Sequence, residues 1–349
     1  MHCQLLKYKD MKPFKLLIVA TVMAGCLTLQ GCLKEEVDFE DADGIVVTHF
    51  YTGPNTPLGE IANLYMYASG MNNRDSYDAF PPTNAADLPK FVEPDADWVS
   101  ELGLTVSYDT VMGRRVCRIH PRSGVTRYVL YLHGGYYTGN MQAVQYELVK
   151  PFVEELGYGV IIPDYPLCAA YTFRDAYAMV AAVYAQLVAE VGAGNIILMG
   201  DSAGGGLSFG FAQWIRENGG QQPGAIILIS PWLDATLTND DIDLIDDPML
   251  NRSYGQLVGS LWCADTTPRC YQVSPIYGNF SGLPRLHVFI GGRDMFYPDV
   301  TRLRDRMRRE RLPLTVYEYP QMFHVWPALT MLPEAKKAQQ QFIEIAKGI

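Results

Sequence analysis

The chain has 349 residues, 48% of them hydrophobic and 19% charged, which is enough apolar material for a large core and too little charge for a disordered polymer. Its 31 Gly and 22 Pro follow no collagen-like period, and no internal repeat is visible. A formal charge of −10 argues against nucleic acid as a partner, because phosphate binding needs a clustered basic face. The one basic run, Arg302 to Arg311, alternates with Leu303, Asp305, Met307 and Glu310 as a solvated helix face does.

The N-terminus departs from the rest. Lys7, Lys9, Lys12 and Lys15 precede an apolar run over 16–25 that is short for a spanning helix and reads as a signal peptide over 1–31. Met11 would also make a conventional start. Cys26 and Cys32 each follow a Gly and resemble the cleavage box of bacterial lipoproteins. Cys32 is the preferred acylation site, since Leu29 lies three residues upstream and Lys34-Glu35-Glu36 begin a polar tether. Cys26 ranks second, and an uncleaved N-terminal anchor is the remaining alternative. Each reading puts the body of the protein in the cell envelope, on the extracytoplasmic side of a membrane. Removing 1–31 takes away four Lys and one Asp and leaves a charge of −13, so acyl chains and not anionic headgroups would hold the protein. Of the remaining cysteines, Cys263 and Cys270 flank a short loop, where a disulfide and two free thiols are equally expected. No Cys or His spacing suggests a metal site.

Residues 32–57 are acidic and turn-rich and read as a linker. Residues 58–71 have helical spacing at Ile61, Leu64, Tyr65 and Ala68, and 81–97 return to a Pro- and Asp-rich loop. Two β segments around a Met112-Gly113 turn predict a hairpin. Apolar strands are expected at 127–132, 159–163, 195–199, 225–229, 286–290 and 314–319, and helices at 142–155, 174–191, 203–218, 300–311 and 333–346. Runs apolar throughout, such as Ala225-Ile226-Ile227-Leu228-Ile229, suit strands covered on both faces, so the fold class is α/β with a mostly parallel central sheet. A long connection at 235–280, rich in Asp240, Asp241, Asp243, Asp246 and Asp247, reads as a substrate wall or lid.

The chemistry centres on Gly200-Asp201-Ser202-Ala203-Gly204, a G-x-S-x-G between strand and helix. The turn lifts the Ser202 hydroxyl above the sheet at a helix N-terminus, where backbone N–H groups meet developing negative charge. A phosphate-binding loop is the rival reading. It lacks the Lys-Ser/Thr pair of a P-loop and the G-x-G-x-x-G of a dinucleotide site. His133-Gly134-Gly135, between a strand and the next helix, is placed to supply further N–H groups to an oxyanion; His133 itself reads as structural. A nucleophilic serine needs a base and an acid that orients it. His324 alone follows the elbow in a loop after a late strand, while His287 lies within a strand. Asp294 follows a strand and gives the order Ser, Asp, His; Asp234 is the runner-up, and Asp299 reads as a helix N-terminal residue.

Together, His133-Gly134-Gly135, Asp164-Tyr165, Gly200-Asp201-Ser202-Ala203-Gly204-Gly205, Ser230-Pro231-Trp232, Gly291-Gly292-Arg293-Asp294 and Phe323-His324 resemble the hormone-sensitive-lipase-like branch of the α/β-hydrolase esterases from about Leu102 onward. The resemblance implies a triad of Ser202, Asp294 and His324, and an oxyanion hole from Gly134, Gly135 and Ala203. It also implies a hydrolase domain over 58–349 with cap elements near 58–100 and 235–280. Two departures stand out: Tyr136 replaces the family's third glycine, and Pro166-Leu167-Cys168-Ala169-Ala170 replaces its Arg-Leu-Ala-Pro-Glu. The expected activity is hydrolysis of small or short-acyl carboxylic esters through an acyl-enzyme, without metal or organic cofactor. A peptidase using the same triad and a non-catalytic envelope binding protein are the alternatives.

Overall fold

The computed structural model describes residues 36–40, 44–51, 55–73, 77–121 and 124–349. The signal-peptide expectation, Cys26 and Cys32 lie outside them. Ten strands form one sheet: β1 (Glu36–Glu40), β2 (Val46–Tyr51), β3 (Thr105–Val111), β4 (Arg114–His120), β5 (Tyr128–Leu132), β6 (Gly159–Pro163), β7 (Ile196–Asp201), β8 (Ala225–Ile229), β9 (Leu286–Gly291) and β10 (Leu314–Tyr319). Their order is β1-β2-β10-β9-β8-β7-β5-β6-β4-β3. From β2 to β6 every neighbouring pair is parallel, while β1, β4 and β3 are added antiparallel at the two edges.

The helices are α1 (Pro57–Ser69), α2 (Ala96–Glu101), α3 (Tyr146–Leu156), α4 (Phe173–Val191), α5 (Ser202–Glu217), α6 (Arg252–Trp262), α7 (Tyr297–Glu310) and α8 (Pro333–Lys347). The sheet's period of two divides the core between its faces. Leu130, Leu198, Leu228 and Val288 pack with α4, α5 and α7 on one face. Val129, Ile197, Ile227 and Phe289 pack with α3 and α8 on the other. Central strands sandwiched in this way must be apolar throughout, and β5, β6, β7 and β8 are buried along their whole length.

The structure differs from the sequence expectation in several places, three of which bear on the site. The stretch read as a linker holds β1 and β2, and β2 pairs with β10 from Val46 to Phe50. Its Val-Val-Thr-His-Phe-Tyr run is β-branched and aromatic, which suits a pleated strand despite the acidic, turn-rich surroundings. α7 begins at Tyr297, three residues before the expected start, because Pro298 fits the first turn where no N–H partner is needed. α6 lies inside the long connection, started by the Asn251 side chain accepting from the Tyr254 N–H (2.9 Å).

Candidate active site

β7 delivers Ser202 directly to the first position of α5, with φ at +54°. That left-handed backbone is unfavourable for a side-chain-bearing residue, at a cost of order 1–3 kcal/mol. Close packing imposes it. A Cβ on Gly200 would overlap the Gly204 carbonyl oxygen, and one on Gly204 would overlap the carbonyl oxygens of Leu132 and His133. The Ser202 carbonyl in turn accepts the Trp232 N–H at 2.9 Å. Strain gathers around this point: Tyr136, Tyr137, Ser230 and Val325 share the positive φ of Ser202, and all five follow the carboxyl ends of sheet strands.

The loop after β5 is held from below by one buried carboxylate. Asp201 Oδ1 accepts the Gly134 N–H (2.8 Å) and the Tyr131 hydroxyl, and the Gln145 amide donates to both Asp201 oxygens at 3.2 and 3.1 Å. The Tyr165 hydroxyl donates to the His133 carbonyl at 2.6 Å. His133 Nδ1 lies 2.9 Å from the Gly134 carbonyl, and burial pushes the imidazole below its ordinary pKa, so it is a neutral strut. Gly134 therefore does not play the part expected of it. Its N–H is committed to Asp201 and is turned away from any oxyanion, because a buried carboxylate must find donors. The residue is still held to glycine, since a Cβ there would press on Asp201 and on Ser202 Cβ. Among the described residues, the N–H groups of Gly135, Tyr136 and Ala203 have no protein acceptor.

Asp294, in the turn after β9, is fully buried. One oxygen accepts the Phe296 N–H (2.9 Å), and the other lies 2.9 Å from His324 Nδ1. His324 sits in the loop after β10, pinned where the Val325 N–H donates to Ser230 Oγ (3.0 Å). Burial opposes charging the imidazole, but the charge and hydrogen bond of Asp294, with Asp247 and Asp201 behind, outweigh it and raise its pKa. The topology brings these groups together, since β7, β8, β9 and β10 are consecutive in the sheet and Ser202, Ser230, Asp294 and His324 follow their carboxyl ends. Asp234 lies elsewhere, under the long connection, accepting from Thr236, the Tyr277 hydroxyl (2.5 Å) and Arg302. Asp299 stands in the first turn of α7 and receives Asn239 and Arg302, both at 3.0 Å. His287 is half-buried in β9, where loss of solvent depresses its pKa to about 4.

Two carboxylates had no assigned role in the sequence. Asp201 occupies the unspecified position of G-x-S-x-G, so no pattern marks it. Asp247 is one of six acids in the long connection, yet it alone turns inward. Its Oδ1 accepts the N–H groups of Met249 (2.7 Å) and Leu250 (2.9 Å), and its Oδ2 accepts that of Met295 (2.7 Å), next to Asp294. Burial first, and then the neighbouring Asp294 charge, push its pKa up to about 6.

A cover lies over this end of the sheet. Tyr67 and Asn72, in and just after α1, together with Tyr77, donate to the carbonyls of Asp246 (2.7 Å), Asp247 (3.0 Å) and Met249 (3.0 Å). Asn63 donates to the Gln321 carbonyl (2.9 Å) in the histidine loop. Tyr136 is bonded through its hydroxyl to the Asn251 backbone and packs edge-on against Tyr77, Trp232 and Tyr254. Tyr137 stacks on Trp262 at 4.2 Å as core packing. Ser202 and His324 are left only 5% and 6% exposed. Cys263 and Cys270 are free thiols.

A strained serine at a strand-to-helix elbow and a buried Asp-His couple on neighbouring loops define an α/β-hydrolase. The chain belongs to the α/β-hydrolase fold family, which it matches over residues 129–328, and it is a carboxylic ester hydrolase. It is 31% identical over 238 residues to an acetyl-hydrolase of Streptomyces hygroscopicus, covering 65% of this chain and 76% of that protein. An esterase of Acinetobacter venetianus is 27% identical over 248 residues, covering 68% and 80%. Among solved structures, a mutant of the esterase E40 superposes with a TM-score of 0.65 at 26% identity, covering 73% of this chain and 85% of that one. An esterase of the bacterial hormone-sensitive lipase family superposes with a TM-score of 0.69 at 24% identity, covering 84% and 98%, a likeness of fold.

Proposed function

We propose that the protein is a serine carboxylesterase acting on short-acyl esters by double displacement, tethered to the outer side of a membrane by a lipid on Cys32. His324 takes the Ser202 proton as Oγ bonds to the ester carbon. The N–H groups of Gly135, Tyr136 and Ala203 receive the oxyanion. When the tetrahedral centre collapses, the alcohol leaves with the proton from His324, and water attacks the acyl-serine by the same route in reverse. Asp294 holds the imidazole through Nδ1, which directs Nε2 to the serine, and it balances the imidazolium charge. The observation that carries this reading is the 2.9 Å Asp294–His324 contact on the loops that flank the Ser202 elbow.

The crowding of Tyr136 by Trp232 and Tyr254 supports a short acyl group, as does the likeness to an acetyl-hydrolase. The test is hydrolysis of p-nitrophenyl esters from acetyl to palmitoyl by the chain from Leu33 onward, beside its Ser202→Ala variant. Turnover restricted to short chains and absent from the variant is expected. Turnover that survives in a folded Ser202→Ala protein would refute the nucleophile.

A further inference from the structure

We infer that the protein lies on its own membrane with the active-site end of the sheet against the lipid surface. The inference rests on the acylation of Cys32 proposed above. β1 runs antiparallel to β2, with Glu36 opposite Tyr51, and β2 runs parallel to β10. Glu36 therefore stands at the carboxyl end of the parallel strands, the end that carries Ser202, Asp294 and His324. Cys32 precedes it by four residues, a length that spans at most roughly 14 Å of chain. The amino end of the sheet is about 20 Å further away, the length of a six-residue strand. A lipid on Cys32 therefore holds the catalytic end at the bilayer and points the other end into solvent.

The distribution of apolar side chains agrees independently. Among the described residues, the six large hydrophobic side chains that are more than half exposed are Leu64, Tyr65, Phe80, Met112, Leu244 and Met331. Single exposed hydrophobes are ordinary, but all six lie at the carboxyl end, whereas Leu102, 48% exposed, stands at the amino end ahead of β3. Leu64 and Tyr65 are on α1, which is bonded to the histidine loop through Asn63. Leu244 is two residues from the Asp246 carbonyl that receives Tyr67. Phe80 is two residues from Pro82, whose carbonyl takes the Ala169 N–H beyond β6. Met112 is in the turn that starts β4, which runs antiparallel to β6. Met331 precedes α8, whose Glu334 side chain holds the Thr56 N–H ahead of α1 (2.8 Å). The occupant that fits is a lipid surface without net negative charge, because a body at −13 is repelled by anionic headgroups. The cover over Ser202 then opens onto the membrane, and the substrates it admits are amphiphilic esters that partition into that surface.

The test uses the full acylated chain in phosphatidylcholine–phosphatidylethanolamine vesicles containing nitroxide-labelled lipid. A fluorophore is placed on Leu64→Cys, on Leu244→Cys or on Gln221→Cys, each in a Cys270→Ser background. Gln221 is an exposed control at the amino end, between α5 and β8. Quenching at 64 and 244 at least three-fold stronger than at 221 is expected. Equal quenching at the three positions in protein that sediments with the vesicles would overturn the orientation. Protein that stays in the supernatant would overturn the acylation reading, and the docked orientation with it. Neither result touches the esterase assignment, which the soluble p-nitrophenyl assay decides separately.

Discussion

Replacing Asp201 by Asn removes one charge from beneath the loop that carries the proposed oxyanion donors. The Asn oxygen still accepts from the Gly134 N–H and the Tyr131 hydroxyl, but hydrogen bonds to a charged acceptor contribute about 1.5–3 kcal/mol against about 0.5–1.5 for a neutral one. Each retained bond thus weakens by about 1 kcal/mol. The new amide also faces the Gln145 amide, which can present its oxygen only by giving up its 2.9 Å bond from the Gln142 N–H. Relief from burying a full charge returns part of this, and the net loss of stability is about 1–2 kcal/mol, a fall of a few degrees in Tm. The effect on rate should be larger. A loop free to shift takes N–H groups out of alignment, and losing one such donor lowers kcat by roughly 10²-fold. The assay is kcat and KM for p-nitrophenyl acetate beside a thermal melt of the same preparation. A variant that keeps kcat within two-fold would refute the argument that Asp201 shapes the site through Gly134.

Asp294→Asn should lower kcat by on the order of 10³–10⁴ by spoiling the His324 tautomer, whereas Asp234→Asn, which touches only Thr236, Tyr277 and Arg302, should leave kcat within ten-fold; the reverse ranking in steady-state kinetics would move the acid. Because the His324 pKa is raised, its base form is lost early as pH falls, so the acid limb of kcat/KM should have its midpoint above the ordinary histidine value of about 6.5. Asp247→Asn removes one of the carboxylates that lift it, and a pH profile should show the midpoint displaced downward; an upward displacement would contradict the electrostatics. Cys32→Ala should transfer the protein from the membrane to the soluble fraction on cell fractionation, and if Cys26→Ala alone does so the acylated residue is Cys26.

What was legible in the sequence was what depends on local pattern. The six central strands and the helices between them appear within a few residues of their expected places, because a strand buried on both faces has to be apolar throughout. The elbow was legible for a similar reason, since its glycines answer contacts with the backbone of β5 and α5 that no side chain can share. What escaped depends on long-range pairing. β2 carries an ordinary β pattern inside an acidic stretch, and only its register against β10 marks it as part of the sheet. The direction of Gly134's N–H was hidden because it depends on where Asp201 points. Asp247 was indistinguishable from Asp240, Asp241, Asp243 and Asp246 until the fold turned it toward Met295.

The joints of the cover have one property in common: most of their acceptors are main-chain carbonyls, at Asn72, Asp246, Asp247, Met249 and Gln321. A carbonyl is the same in every residue, so substitution at Asp246 or Met249 changes the side chain and leaves the bonded carbonyl in place. The chemistry below is written in side chains on both partners, while the fastening above needs a particular side chain only on its donors, Asn63, Tyr67, Asn72, Tyr77 and Asn251. Such an arrangement lets the acceptor residues of the cover vary without loosening the roof over the serine.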